Sequence, residues 1–223
     1  MNWFTKTFSS TIGRKLVMSI TGLFLCSFLV VHLIGNLQLF KDDGGLAFNV
    51  YSEFMGHNPI IRTMEIVLVL GFLFHIYDAF VLTRRNQSAR PIGYANSHPE
   101  ENSNWSSRNM GLLGTVILVF LIIHLYNFFW RARFGELSID AGGNPDLYIV
   151  VKESFGLWWY VAIYVIAMIA LAYHLIHGFQ SAFQTLGLTH KKYTPFIKSF
   201  GYAFSVLVCL GFAAMPLYFF FFE

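Results

Sequence analysis

The sequence predicts an all-α membrane protein with five transmembrane helices. Three observations carry that prediction. Apolar residues make up 56 % of the 223 and charged residues only 12 %, about half the ~25 % usual in soluble domains. The apolar residues gather in five runs long enough to cross a bilayer. Four of those runs contain a histidine near the middle, where an ionisable group is costly. The composition argues against a soluble enzyme, a nucleic-acid binder and a disordered chain, each of which needs more charge on its surface. With a net charge of +3, the placement of charge says more than its sum.

A bilayer core of ~30 Å takes about 20 residues of helix at ~1.5 Å each. The first run lies between Lys15 and Lys41, predicting a helix over 16–40. Lys6, Arg14 and Lys15 precede it in the manner of a signal peptide. The run is longer than such a segment, and no small-x-small cleavage site follows, so it reads as an uncleaved span. The second run, 60–83, is interrupted by Arg62, Glu65 and Asp78 but is still apolar enough to span. The third, 109–130, lies between Arg108 and Arg131. The fourth is the apolar part, 156–179, of a stretch without charge from Glu153 to Lys191. The fifth, 199–222, lies between Lys198 and Glu223. Barrel strands would show ~10-residue alternating segments, and these runs are continuous. No internal repeat appears, so residues 1–223 read as one domain.

Lys and Arg set the orientation. With the N-terminus inside, ten of them fall on the inner side and five on the outer, which favours N-in and C-out. The outer loops are then about 42–58 and 131–155, and the inner loops about 84–108 and 181–198. The Asn- and Ser-rich inner loop 86–107 serves equally as a docking surface or a solvated linker. Trp130, Trp158, Trp159 and Tyr160 read as an outer interfacial belt. Cys26 and Cys209 sit inside apolar runs with no metal or haem-attachment spacing and read as packing residues.

Of eight histidines, five fall within spans: His32, His75, His124, His174 and His177. A single one could be a packed polar residue. Four helices contributing one each call for a common reason, and depth supplies it. His32 and His124 lie ~6–7 Å to the outer side of the midplane, whereas His75 and His174 lie ~5–10 Å to the inner side. Each layer joins two helices, as bis-imidazole ligation of one haem iron requires. The expectation is two b-type haems in a four-helix bundle, with His32 and His124 on the outer and His75 and His174 on the inner. Zinc or copper would want further ligands. His177, one turn past His174, could itself be the ligand or could contact a propionate. Gly71 and Gly178 could admit a flat ring, or simply pack helices.

Taken in order, Arg14-Lys15, Ser19, Thr21-Gly22, Val31-His32-Leu33, Ala47-Phe48-Asn49, Phe54-Met55, Arg62, Glu65, Phe74-His75, Ile123-His124-Leu125 and Tyr173-His174 with Gly178 and Gly187 span nearly the whole chain. In that order they resemble the cytochrome b membrane anchor of succinate dehydrogenases and quinol:fumarate reductases, in the class with one polypeptide, five helices and two haems. The resemblance implies His174 as the ligand, with His177 beside it. It implies an FAD-containing flavoprotein subunit and an iron–sulfur subunit on the cytoplasmic face of a bacterial membrane. Electrons would pass between the iron–sulfur subunit and menaquinone, whose site would lie near the outer haem. Such complexes often pair as dimers through their anchors. Dicarboxylate chemistry falls to the partner subunits, since this chain carries neither a nucleotide fingerprint nor a cysteine cluster.

Quinone chemistry also needs protons. Glu53 is the candidate relay, with His57 nearby. Arg62 and Glu65, spaced i and i+3, could pair with each other or stand beside the quinone or a propionate. Asp78 could bond Arg84 or another basic group, or join a proton path. Two alternatives remain: the cytochrome b anchor of a hydrogenase or formate dehydrogenase, and a haem-free transporter with proton-relay histidines.

Overall fold

The fold follows from five helices that bury their backbone polar groups internally, as a bilayer demands. A computed structural model describes residues 2–89, 101 and 103–223. Helix α1 is Trp3–Ser9, and α2 is Thr11–Asn36, extended by a 3-10 turn at Leu37–Phe40. Helix α3 is Leu46–His57 and α4 is Pro59–Ser88. A single turn, α5, Trp105–Arg108, leads into α6, Met110–His124. A π-helical segment, Leu125–Trp130, and α7, Arg131–Phe134, continue α6. Then come α8, Leu147–Phe155, α9, Trp158–Thr185, and α10, Thr194–Phe222. Among the described residues, five helical stretches are long and apolar enough to cross a membrane: Thr11–Phe40, Pro59–Ser88, Met110–Phe134, Trp158–Thr185 and Thr194–Phe222. The chain is an all-α, multi-pass membrane protein.

Three spans run well past the charges that bound the apolar runs, all at the end of the bundle holding the N-terminus (the amino end). Helix α2 begins at Thr11, where the Ser10 side chain accepts from the Gly13 N–H at 3.0 Å. Helix α4 continues through Arg84 and Arg85 to Ser88, and α10 starts at Thr194, four residues before Lys198. Hydropathy marks where lipid ends, whereas the hydrogen-bond ladder persists until a cap stops it. Gly187, at φ +74°, takes the left-handed conformation just beyond α9.

The opposite end, holding Glu223, is the carboxyl end. The expected loops 42–58 and 131–155 carry helices there, α3 in the first and α7 and α8 at the two ends of the second. They lie over the bundle, where Arg133 donates to the Gly56 carbonyl at 3.2 Å and Asn49 makes the densest polar contact between them. Asn49 is fully buried; its amide donates to Asp140 at 3.1 Å and Asp146 at 2.9 Å, and its carbonyl oxygen accepts from the Tyr148 N–H at 2.9 Å. Gly45 precedes α3 at φ +88°, with the Tyr148 ring standing where a β-carbon would be. Most of the expected inner loop 86–107, with His98, lies outside the described residues.

Helix α9 is the hub, packing on α10, α6 and α2, while α2 packs on α4. Helices α4 and α6 meet only over a short stretch. One core cluster (Phe48, Tyr148, Phe155, Tyr164, Phe219) lies under the cap. A second (Cys26, Ala167, Met168, Leu175, Phe179, Cys209) fills the α2–α9–α10 contact. Both thiols are free and buried, as packing residues would be. Trp130, Trp158 and Trp159 are exposed near the carboxyl end, and Trp3 and Trp105 near the amino end, whereas Tyr160, expected in the same belt, is turned inward and buried in the core beneath the cap.

Candidate functional site

The four span histidines meet in two pairs, each joining two helices. His32 of α2 faces His124 of α6 with ring centres 5.8 Å apart and planes at 88°. His75 of α4 faces His174 of α9 at 6.2 Å and 64°. These are the pairs that depth along the helices groups together. The ring meeting His75 is that of His174; His177 stands one turn nearer the amino end, half-buried.

These distances carry chemical meaning. An imidazole nitrogen binds a first-row metal at about 2.0 Å and lies about 1.1 Å from its ring centre, so two imidazoles on one metal have centres about 6 Å apart. Both pairs sit near that value. Among the described residues no third His, Cys, Asp or Glu joins either pair as a metal-holding group. Two imidazoles make an incomplete shell for zinc and a full axial pair for a haem iron.

Three of the four rings have a polar neighbour at Nδ1. The His124 Nδ1 is 3.0 Å from the Tyr164 hydroxyl. The His75 Nδ1 is 3.3 Å from the Thr21 hydroxyl, which donates to the Val17 carbonyl at 2.8 Å and so can accept an Nδ1–H. The His32 Nδ1 is 3.4 Å from the Asn36 amide, itself anchored on the His32 carbonyl at 2.7 Å. The His174 Nδ1 is buried without a partner. The contacts of His32, His75 and His124 described above all fall on Nδ1. For His75 and His124, whose Nδ1 faces a hydroxyl oxygen able to accept its proton, Nε2 is left as the open ligand.

Aromatic contacts hold the first pair. Phe28 stacks on His32 at 5.2 Å and Phe120 on His124 at 5.6 Å, each four residues before its histidine. At the second pair, the missing β-carbon of Gly22 would lie 3.4 Å from the His75 Cε1. A β-carbon on Gly71 would lie 3.3 Å from the Phe24 ring, a close helix contact, whereas Gly178 faces open space.

The other candidates make ion pairs with one another or with a neighbouring helix. Glu53 and His57 form a pair at 3.1 Å, both exposed, at the end of α3. Arg62 and Glu65 bond each other along α4. Asp78 is 4 % exposed and pairs with Arg14 of α2 at 2.5 Å, while Arg84 lies over the Phe80 ring. Arg14 also lies over Tyr77.

One feature was not read from the sequence. The π-helical segment begins directly after His124 and carries Asn127, whose amide donates to Ser154 at 2.8 Å and Tyr160 at 3.0 Å. Tyr160 lies 3.4 Å from Tyr164, so a buried polar chain ends on His124. The available signal was Asn127 three residues after a span histidine, together with tyrosines at i and i+4 in the fourth span.

Comparison with family models, with curated proteins and with solved structures found no match.

Proposed function

We propose that this chain is a dihaem cytochrome b membrane anchor of a succinate:quinone oxidoreductase. It would pass electrons between an iron–sulfur subunit and menaquinone. The observation that carries the reading is the pair of facing imidazoles at each of two depths, 5.8 Å and 6.2 Å apart, contributed by four different helices. His32 with His124, and His75 with His174, would hold two haems b. Those groups, when bound, supply one-electron redox chemistry at two levels of the bilayer.

The chain's own residues do the rest. The imidazoles fix position, the hydroxyl partners of the His75 and His124 Nδ1 fix the orientation of those two rings, and apolar packing excludes water. The motif order along the chain supports the succinate:quinone family over other cytochrome b anchors. On this reading the amino end faces the cytoplasm of a bacterium. The flavoprotein and iron–sulfur subunits dock there and perform the dicarboxylate chemistry. The quinone site lies toward the carboxyl end, with Glu53 as its proton relay and Arg62 and Glu65 as neighbours.

A reduced-minus-oxidised absorption spectrum of the purified chain tests the reading. The expected result is two overlapping b-type bands. A chain with no visible absorption belongs instead with proton-relay transporters.

A further inference from the structure

Resting on the haem reading above, we propose that Tyr164 is a positioning residue for His124. Its hydroxyl orients the ring through Nδ1 and tunes the basicity of that imidazole as an iron ligand.

The geometry is specific. Tyr164 comes from α9 and His124 from the last residue of α6, so their 3.0 Å contact locks a ligand on one helix to a neighbouring helix. The phenol ring is also placed: Phe120 meets it edge-on at 4.8 Å and Phe155 at 5.0 Å. Tyr164 is 6 % exposed and Tyr160 5 %, which leaves the hydroxyl in a dry site where its few partners decide its orientation. When Nε2 binds a metal, Nδ1 bears the proton and donates to the Tyr164 oxygen. The Tyr164 hydroxyl can then donate onward to the Tyr160 oxygen at 3.4 Å, which also accepts from Asn127. Asn127 is held by Ser154, whose hydroxyl donates to the Val150 carbonyl at 2.6 Å. The chain therefore runs from the cap helix α8 to the ligand, through residues whose rotamers are set by packing.

The chemical effect has a sign. An acceptor on Nδ1–H makes the imidazole more electron-donating and favours the ferric state. Removing it raises the reduction potential of that haem alone. Among the described residues, no other ring nitrogen of the four histidines faces a phenol, so the other pair is insulated from the change.

The experiment is redox titration with EPR on the full chain carrying Tyr164→Phe, beside wild type and Tyr160→Phe. Phenylalanine keeps the ring and loses only the hydroxyl. The expected result is two haems retained, with one potential moved upward and one ferric EPR signal altered. The affected haem is the one that His124→Ala removes. Tyr160→Phe, which keeps the His124–Tyr164 bond, moves that potential less. Selective loss of that same haem in Tyr164→Phe carries the proposal as well, because ring packing is conserved. It is overturned by an unchanged potential and EPR signal, by an equal or larger effect of Tyr160→Phe, or by loss of both haems. A wild-type chain without haem bands removes the underlying reading instead, and that outcome is visible before any variant is made.

Discussion

The carboxylate of Asp78 lies 2.5 Å from the guanidinium of Arg14, tying α4 to α2 one turn below His75. Their side chains are 6 % and 14 % exposed, so neither charge is well hydrated. Removing one partner strands the other, at a cost of about 3–5 kcal/mol. Thermal unfolding in detergent should show Asp78→Ala or Arg14→Ala strongly destabilised. The double variant Arg14→Met with Asp78→Leu should regain much of the loss. Additive losses in the double variant would mean the pair does not act as a unit.

The histidine pairs predict which haems vanish together. His32→Ala and His124→Ala should each remove one and the same haem. His75→Ala and His174→Ala should each remove the other. His177→Ala should retain both. Haem content by pyridine haemochrome and difference spectra of the variants are the measurements. Loss on His177→Ala with retention on His174→Ala would reverse the ligand assignment.

Ring orientation predicts a spectroscopic difference. The His32 and His124 planes are at 88°, and those of His75 and His174 at 64°. Near-perpendicular axial imidazoles bring the iron d orbitals closer in energy and spread the ferric g values. EPR of the oxidised chain should therefore show the larger anisotropy for the haem lost in His124→Ala.

The cap should depend on Asn49. Its amide and carbonyl serve two carboxylates and a backbone N–H from a buried position. Asn49→Ala should cost about 2–4 kcal/mol, given about 1.5–3 kcal/mol for a hydrogen bond to a charged group. Limited proteolysis between residues 135 and 146 should become faster, while spectra of any bound haem change little.

That cap should also loosen in acid. Hydrogen bonds from the Asn144 and Gly142 backbone and the Asn49 side chain lower the Asp140 pKa below 3.8. A depressed pKa means the stabilisation is fully present above the unfolded value and is lost as pH falls through the folded one. Proteolysis with an acid-active protease should accelerate below about pH 3.8 in wild type. In Asp140→Asn that acceleration should be reduced.

The spans were legible because hydropathy is a one-dimensional signal. The grouping of His32 with His124 and His75 with His174 needed only helix rise and direction. What stayed hidden depends on contacts across the chain. Leu46–His57 reads as a loop because Asn49 and Glu53 interrupt its apolar pattern. Its helix is held by Asn49 meeting residues more than 90 positions away. Asp78 has Arg84 as a sequence neighbour, yet its partner is Arg14, 64 residues distant. Tyr164 looks like one more aromatic in a Phe-rich protein until the π-helical turn brings Asn127 to its neighbour Tyr160.

The Asn49 clasp also says something about the order in which the protein is made. Asn49 and Asp146 are 97 residues apart, and the chain between them contains both α4 and α6. Those helices carry the polypeptide across the bilayer and back. The clasp therefore cannot close until both have been inserted in the right direction. Its closure follows the insertion of both, and only a correctly threaded chain can reach it.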